Sequence, residues 1–555
     1  MKFSLSLAFY AATAVVANQW HDDHGVGAHV SPNKGHGYGG HRGHGWGQHQ
    51  PPLPGDCEPR ETMGNTTFTQ LIDHQNPSLG TFEQFYFWDT KYWKGPGSPV
   101  IMFTPGEVNG TRYTSYLDVN RTTGVLAEKI GAATLVLEHR YWGVSSPFDD
   151  LTTENLQYLT LENSIKDLTH FAKTVKLPFA RHGSNAADVP WVMMGGSYSG
   201  ALSAWTESVE PGVYWAYHAS SAPVQAVNDY YGYFIPIMEG MPKNCSTDVA
   251  KVVDYMDDIF MHGTKQQQHD LKAMFGLQDL PYADDVMAVL NNVVESWQGN
   301  QLYTGYSAFF QFCDSVEGVF NTTGAPIPGP EGVGLKKALA GYAKYVKEQY
   351  IPDNCASLGP QYPEWQDPNS VLCFNTHNAS SPYFTDRTLS NVADRQWIWM
   401  TCNEPFGYWQ GGAPDKRPFV VSRLNNPDYF IRQCGLWFPD GPNGEQYGIK
   451  KGKTEADTNR YTKGWNDRKS TRLIYANGGF DPWRESGVSA IERPGGPMKS
   501  SEQTPINVVP GGFHTSDLIT KNGAVNPGCQ KVIDAEVAQL AAWVNEFPKR
   551  RHWAA

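Results

Sequence analysis

An α/β fold with a mostly parallel sheet, split by a large and mainly helical insertion, is the architecture this sequence predicts. Three observations carry it. Short apolar runs such as Val100-Ile101-Met102-Phe103 and Ala133-Thr134-Leu135-Val136-Leu137-Glu138 alternate with stretches of helical spacing such as residues 162–173, as strand–helix–strand units do. Between residues 224 and 414 this wording gives way to long amphipathic segments (247–260, 265–275 and 335–348) separated by glycine- and proline-rich loops such as 324–334. Strand wording then returns at Thr471-Arg472-Leu473-Ile474-Tyr475-Ala476 and at Ile506-Asn507-Val508-Val509, and residues 530–546 read as a closing helix. An insert within one α/β domain accounts for this order better than two domains in tandem.

The chain of 555 residues opens with Lys2, an apolar stretch from Phe3 to Val16 and the small residues Val15-Val16-Ala17, which predicts a secretory signal over residues 1–17. Residues 18–54 are low in complexity, hold seven of the 17 histidines and close on Pro51-Pro52-Leu53-Pro54. A solvated, disordered leader is preferred there over a loose metal-binding tail, because no fixed ligand geometry is visible. The α/β domain is assigned to residues 60–223 and 415–550, with the helical insertion at 224–414. Export gives meaning to the eight cysteines, Cys57, Cys245, Cys313, Cys355, Cys373, Cys402, Cys434 and Cys529, which allow up to four disulfides. There is no C-x-x-C, and neither a metal site nor a cofactor is expected. Asn65, Asn109, Asn120, Asn244, Asn321 and Asn378 head N-x-S/T sequons. A net charge of −12 argues against nucleic acid and anionic membrane as partners, and no later segment has the ~18 apolar residues of a membrane span. The expectation is a secreted protein of open oligomeric state, a homodimer included.

The most specific wording is Trp191-Val192-Met193-Met194-Gly195-Gly196-Ser197-Tyr198-Ser199-Gly200-Ala201-Leu202. An apolar strand runs into glycines, a serine and small residues that can open a helix, as in the nucleophile elbow of α/β-hydrolases. Ser199 stands where the usual G-x-S-x-G has its second glycine. A serine hydroxyl needs a base, and the base a carboxylate to orient it. In this fold both follow the serine, on loops after late strands. Asn477-Gly478-Gly479-Phe480-Asp481-Pro482-Trp483 supplies Asp481, and Pro510-Gly511-Gly512-Phe513-His514-Thr515 supplies His514. Ser199 is the rival nucleophile, but it falls in the first helical turn; His139 is the rival base, but it precedes the serine in a crowded loop. The oxyanion donors expected are the Tyr198 amide and an amide of the early loop Thr104-Pro105-Gly106-Glu107, at Gly106 or Glu107.

The elbow, with Glu138-His139-Arg140-Tyr141-Trp142-Gly143, Gln157-Tyr158-Leu159-Thr160-Leu161-Glu162, Phe480-Asp481-Pro482-Trp483 and Gly511-Gly512-Phe513-His514, resembles the serine-peptidase family of lysosomal prolyl carboxypeptidase and dipeptidyl peptidase II. Three further stretches resemble its secreted fungal acid prolyl endoproteases. They are Phe103-Thr104-Pro105-Gly106-Glu107-Val108, Asp394-Arg395-Gln396-Trp397 with Cys402-Asn403-Glu404-Pro405-Phe406, and Arg493-Pro494-Gly495-Gly496-Pro497. The resemblance covers residues 66–546. It implies an α/β-hydrolase with a helical cap that cleaves peptides on the carboxyl side of proline at acidic pH. A proline ring is best held by aromatic faces, and the candidates are Trp483, Trp397, Trp399, Met400 and Trp409, with Glu404 as a contact for the substrate's amine end or a carboxyl. The alternatives are a Pro-Xaa carboxypeptidase or dipeptidyl peptidase of the same family, an esterase or lipase, and an inactive metal-binding extracellular protein.

Overall fold

A computed structural model of the chain describes residues 62–548, apart from 181, 182, 323, 392, 416 and 468. The signal and leader expected over 1–17 and 18–54, and Cys57, lie outside the described residues. The strands are β1 (Met63–Leu71), β2 (Thr81–Asp89), β3 (Val100–Phe103), β4 (Ala133–Leu137), β5 (Trp191–Gly196), β6 (Ala216–Ser220), β7 (Val227–Asp229), β8 (Gly407–Trp409), β9 (Leu473–Gly478) and β10 (Ile506–Val509). Eight form one sheet in the order β1-β2-β4-β3-β5-β6-β9-β10, and β7 pairs with β8 in a small parallel ladder of its own. The pairings β1–β2 and β2–β4 are antiparallel and all others in the large sheet are parallel.

Helices cover both faces, which is why β3, β4, β5 and β9 read as largely apolar runs and, like β6, are buried almost throughout. Alternate residues of β3 serve opposite sides. Val100 and Met102 join the core that includes Leu161, Ile165 and Leu168 of the helix Leu161–Thr174; Ile101 and Phe103 join the one that includes Leu126 and the terminal helix Pro527–Asn545. The antiparallel edge pair was not legible as strands, because β1 has only one fully buried residue and a half-exposed, polar alternation.

The helical segment lies between β6 and β9. It is longer than the 224–414 expected, since helices Pro427–Trp437 and Glu455–Thr462 precede the return of the sheet at Leu473. Three disulfides staple it: Cys245–Cys313, Cys355–Cys373 and Cys402–Cys434. Cys529 is buried on the terminal helix and forms no disulfide among the described residues. No described helix is long and apolar enough to cross a membrane. Asn65, Asn109, Asn120, Asn321 and Asn378 are exposed, whereas Asn244 is half-buried in the first turn of the helix Lys243–His262.

Candidate active site

The parallel neighbours β5, β6, β9 and β10 bring their carboxyl-terminal ends to one edge, and the predicted reactive residues stand on the loops that leave β5, β9 and β10. Ser197 follows β5 with φ 61° and ψ −134°, and the helix Tyr198–Val209 begins at the next residue. A serine in this sparsely populated conformation is held by its surroundings. Its amide donates to the Ser220 carbonyl at 2.9 Å. Gly200 brings the helix against the same carbonyl: a Cβ there would lie 2.4 Å from Ser220 O. The departure at Ser199 has a structural use. Its hydroxyl donates to the Gly196 carbonyl at 2.7 Å and accepts from the Gly196 amide at 3.0 Å, closing the elbow on itself. The Ser197 hydroxyl has no hydrogen-bond partner among the described residues.

His514 and Asp481 are both buried, and the imidazole Nδ1 lies 2.9 Å from Asp481 Oδ1. The same oxygen accepts the Trp483 amide at 3.0 Å. With Nδ1 committed to a carboxylate, the proton-accepting nitrogen left to the ring is Nε2. The histidine loop is fixed through its backbone: Gln301 donates to the His514 carbonyl at 2.8 Å and the Thr515 amide donates to the Ser221 hydroxyl at 2.8 Å. Elbow and histidine loop touch, since a Cβ on Gly196 would lie 2.7 Å from Leu518 Cδ1 and 3.0 Å from Thr515 Cγ2.

The early loop meets the elbow as well. Gly106 has φ +76° and approaches so closely that its Cβ position is 3.2 Å from Ser199 Cβ. Glu107 is buried beside it, and its charge acts on the Tyr198 phenol, whose pKa is raised first by burial and then by that carboxylate. His139 stands apart from Asp481. Its Nε2 lies 3.2 Å from the Tyr198 hydroxyl, its Nδ1 2.8 Å from Arg140 O, and burial pushes its pKa down to about 4.

An aromatic cavity lies beside these residues, lined by Trp397, Ile398, Tyr408, Trp409, Phe430 and Trp483, with Glu295 the carboxylic acid in its wall. Trp397 ties it to the elbow through a ring contact of 5.2 Å with Tyr198. Trp483 packs on Tyr230 and Tyr408 and donates its indole N–H to Gln298 at 2.8 Å. Three of the expected pocket residues are placed elsewhere. In the helix Arg395–Asn403, residues 397, 398 and 401 share the cavity face, and at 100° per residue Trp399 and Met400 point away from it. Trp399 donates to the Leu159 carbonyl at 2.9 Å and packs on Phe438. Glu404 accepts the Leu161 amide at 3.3 Å at the start of the helix Leu161–Thr174, and faces a second cavity of about 410 Å³ with Lys453 and Tyr461. Sequence reasoning missed Tyr408 and Glu295. Tyr408 carried a signal in its neighbour Trp409, whereas nothing distinguishes Glu295 from any other helix-end glutamate.

The family model described as serine carboxypeptidase S28 matches residues 70–323 and 343–522. The chain belongs to this family. Among curated relatives, this S28 chain is 40% identical over 493 residues to the serine protease vicPa of Bipolaris victoriae (strain FI3), covering 88% of this chain and 91% of that protein. It is 38% identical over 501 residues to vicPb of the same fungus, covering 90% and 92%. A probable extracellular serine carboxypeptidase of Arthroderma benhamiae is 28% identical over 464 residues, covering 79% of this chain and 60% of that one. The matched residues thus run through both the sheet and the helical segment.

Proposed function

We propose that this S28 chain is a secreted, glycosylated serine peptidase that cleaves peptides on the carboxyl side of proline, as an acid-active endoprotease. The observation that carries the reading is the buried 2.9 Å contact between His514 Nδ1 and Asp481 Oδ1, on a loop packed against the Ser197 elbow. Ser197 Oγ attacks the proline carbonyl carbon while its proton passes to His514 Nε2. Asp481 holds the ring and stabilises the imidazolium. The oxyanion takes hydrogen bonds from the Tyr198 amide and from Gly106 or Glu107. His514 returns the proton to the leaving amine, leaving an acyl-enzyme, which water cleaves by the same path in reverse. The Ser197–His514 bond forms as substrate enters, since catalytic hydrogen bonds commonly tighten only in the substrate complex. The aromatic cavity at Trp483, Trp397 and Tyr408 supports an apolar ring as the specificity element.

The family description, serine carboxypeptidase, favours one second reading, an exopeptidase acting at a free carboxyl terminus; with the same proline preference it would release the residue after a penultimate proline. A peptide blocked at both ends, with one internal proline, separates the two across pH. Cleavage after proline by the wild type and none by Ser197→Ala is expected. Failure to cut this peptide while a free Pro-Xaa carboxyl terminus is trimmed would replace the endoprotease by the exopeptidase. Hydrolysis of short acyl esters alone would make the chain an esterase.

A further inference from the structure

Behind the His514 loop, three ionisable side chains meet with no exposure at all: His218 on β6, Asp517 three residues after His514, and Glu536 on the helix Pro527–Asn545. His218 Nε2 lies 3.3 Å from Glu536 Oε2 and 3.6 Å from Asp517 Oδ2. Among the described residues neither ring nitrogen of His218, nor either of those two carboxyl oxygens, has another polar partner.

The cluster is wired to both halves of the proposed site. His218 and Ser220 are two apart on β6 and so face the same side. The Ser220 hydroxyl donates to Asp517 Oδ1 at 2.6 Å, while the Ser220 carbonyl accepts the Ser197 amide at 2.9 Å. Asp517 lies in the turn Ser516–Leu518 immediately after His514 and Thr515, and its carbonyl accepts the Thr122 hydroxyl at 2.5 Å. One strand residue therefore holds the nucleophile's backbone with one group and the histidine's turn with another.

We propose that His218, Asp517 and Glu536 act as a buried proton-binding lock: positioning residues that hold the His514 turn against β6 while they share two protons, and loosen it when one is lost. With two protons the three groups sum to zero charge; with one they sum to −1 in a site closed to water, an arrangement that burial penalises heavily. Burial, then Glu536, raises the Asp517 pKa to about 7. For His218 burial acts against the charged ring, but Glu536 and then Asp517 outweigh it and the pKa is raised. The groups facing the cluster do not neutralise the extra charge. Asn507 donates to Glu536 Oε1 at 3.3 Å. The Cys529 thiol is kept protonated by burial and by the two carboxylates, and Tyr116, whose pKa is raised mainly by burial, lies under the Arg121 guanidinium on the Asp517 side.

The sign is definite. Both pKa values lie above their ordinary ones, so the folded state binds more protons than the unfolded chain; the contribution of Asp517 is lost as pH rises from about 4 through about 7, and that of His218 as pH rises above about 6.5. A Ser–His pair alone gains activity as its imidazole loses a proton and has no reason to lose it again just above neutrality. The lock supplies that reason, and hence a source for acid preference. Its catalytic consequence rests on the Ser197–Asp481–His514 reading, but its effect on stability does not.

The test uses full-length protein in two arms. In the inactive Ser197→Ala background, the thermal midpoint is followed from about pH 5 to about pH 8.5; it falls with pH, and adding Glu536→Gln flattens the fall. In active enzyme, Glu536→Gln takes away the carboxylate that helps to hold the cluster's protons, so the alkaline limb of kcat/KM moves downward by about one pH unit. Asp517→Asn, which keeps an oxygen for Ser220, moves it in the same direction. Parallel stability profiles with and without Glu536→Gln overturn the lock, as does a stoichiometric divalent ion bound at His218, Asp517 and Glu536. Peptide cleavage that survives Ser197→Ala overturns the catalytic reading instead, and leaves the stability arm to judge the lock.

Discussion

Replacing Asp481 by asparagine tests the proposed chemistry more sharply than deleting it, because the two hydrogen bonds to this side chain converge on one atom. Oδ1 accepts the Trp483 amide at 3.0 Å and faces His514 Nδ1 at 2.9 Å, while Oδ2 is buried without a partner. An asparagine whose oxygen takes the Oδ1 place keeps both contacts and the productive ring tautomer, and its amide group fills the Oδ2 place. What it removes is the negative charge that stabilises the imidazolium. With the ring charge centred at about 4 Å and an effective dielectric near 20, that attraction is about 4 kcal/mol, or about a thousandfold in rate. The Asp481→Asn variant is therefore expected to lose kcat by about 10³ with KM nearly unchanged, measured on a blocked internal-proline peptide at saturating concentration. Its thermal midpoint should drop modestly, through the unsatisfied amide. A loss below about tenfold in folded protein would refute the role given to the charge; a loss near 10⁴ would mean that the amide flips and imposes the wrong tautomer.

Ser199→Ala should cost about 1–2 kcal/mol in denaturant unfolding, from its paired bonds to Gly196, and leave activity within about tenfold, whereas Ser197→Ala should fall to background; the reverse pattern would exchange the two serines. Gly200→Ala puts a methyl 2.4 Å from the Ser220 carbonyl, with backbone on both sides, so a destabilisation of about 3 kcal/mol or more is expected by urea midpoint together with loss of activity. His139, held down to about 4 by burial, should show no imidazole titration by NMR above about pH 5. Because that pKa is depressed, its contribution to stability is present above about pH 6.5 and is lost as pH falls towards 4.

How legible each residue was depends on the range of the interactions that place it. β3 coincides with its expected run, and the helices Leu161–Thr174 and Lys265–Phe275 lie within a residue or so of theirs, because burial on both sheet faces or on one helix face imprints a local period. The edge strand β1 and the extent of the helical segment were not legible, since partial exposure and long irregular connections leave no such imprint.

For the site, sequence alone determined the candidates Ser197, Asp481 and His514. Each stands in a local strand-to-loop motif, and chain order is a property of the sequence. Only the tertiary structure decided the rest: that His514 meets Asp481 rather than His139, and that Trp397 faces the cavity while Trp399 and Met400 pack into the body. It also decided that Glu404 caps a helix beside another cavity, and that His218, Asp517 and Glu536, spread over more than half the chain, share one buried contact. The physical reason is that a helix or turn preference is spent within a few residues of its origin. The charge state of a buried cluster is set by whatever side chains the fold brings within about 4 Å, and no local pattern records them.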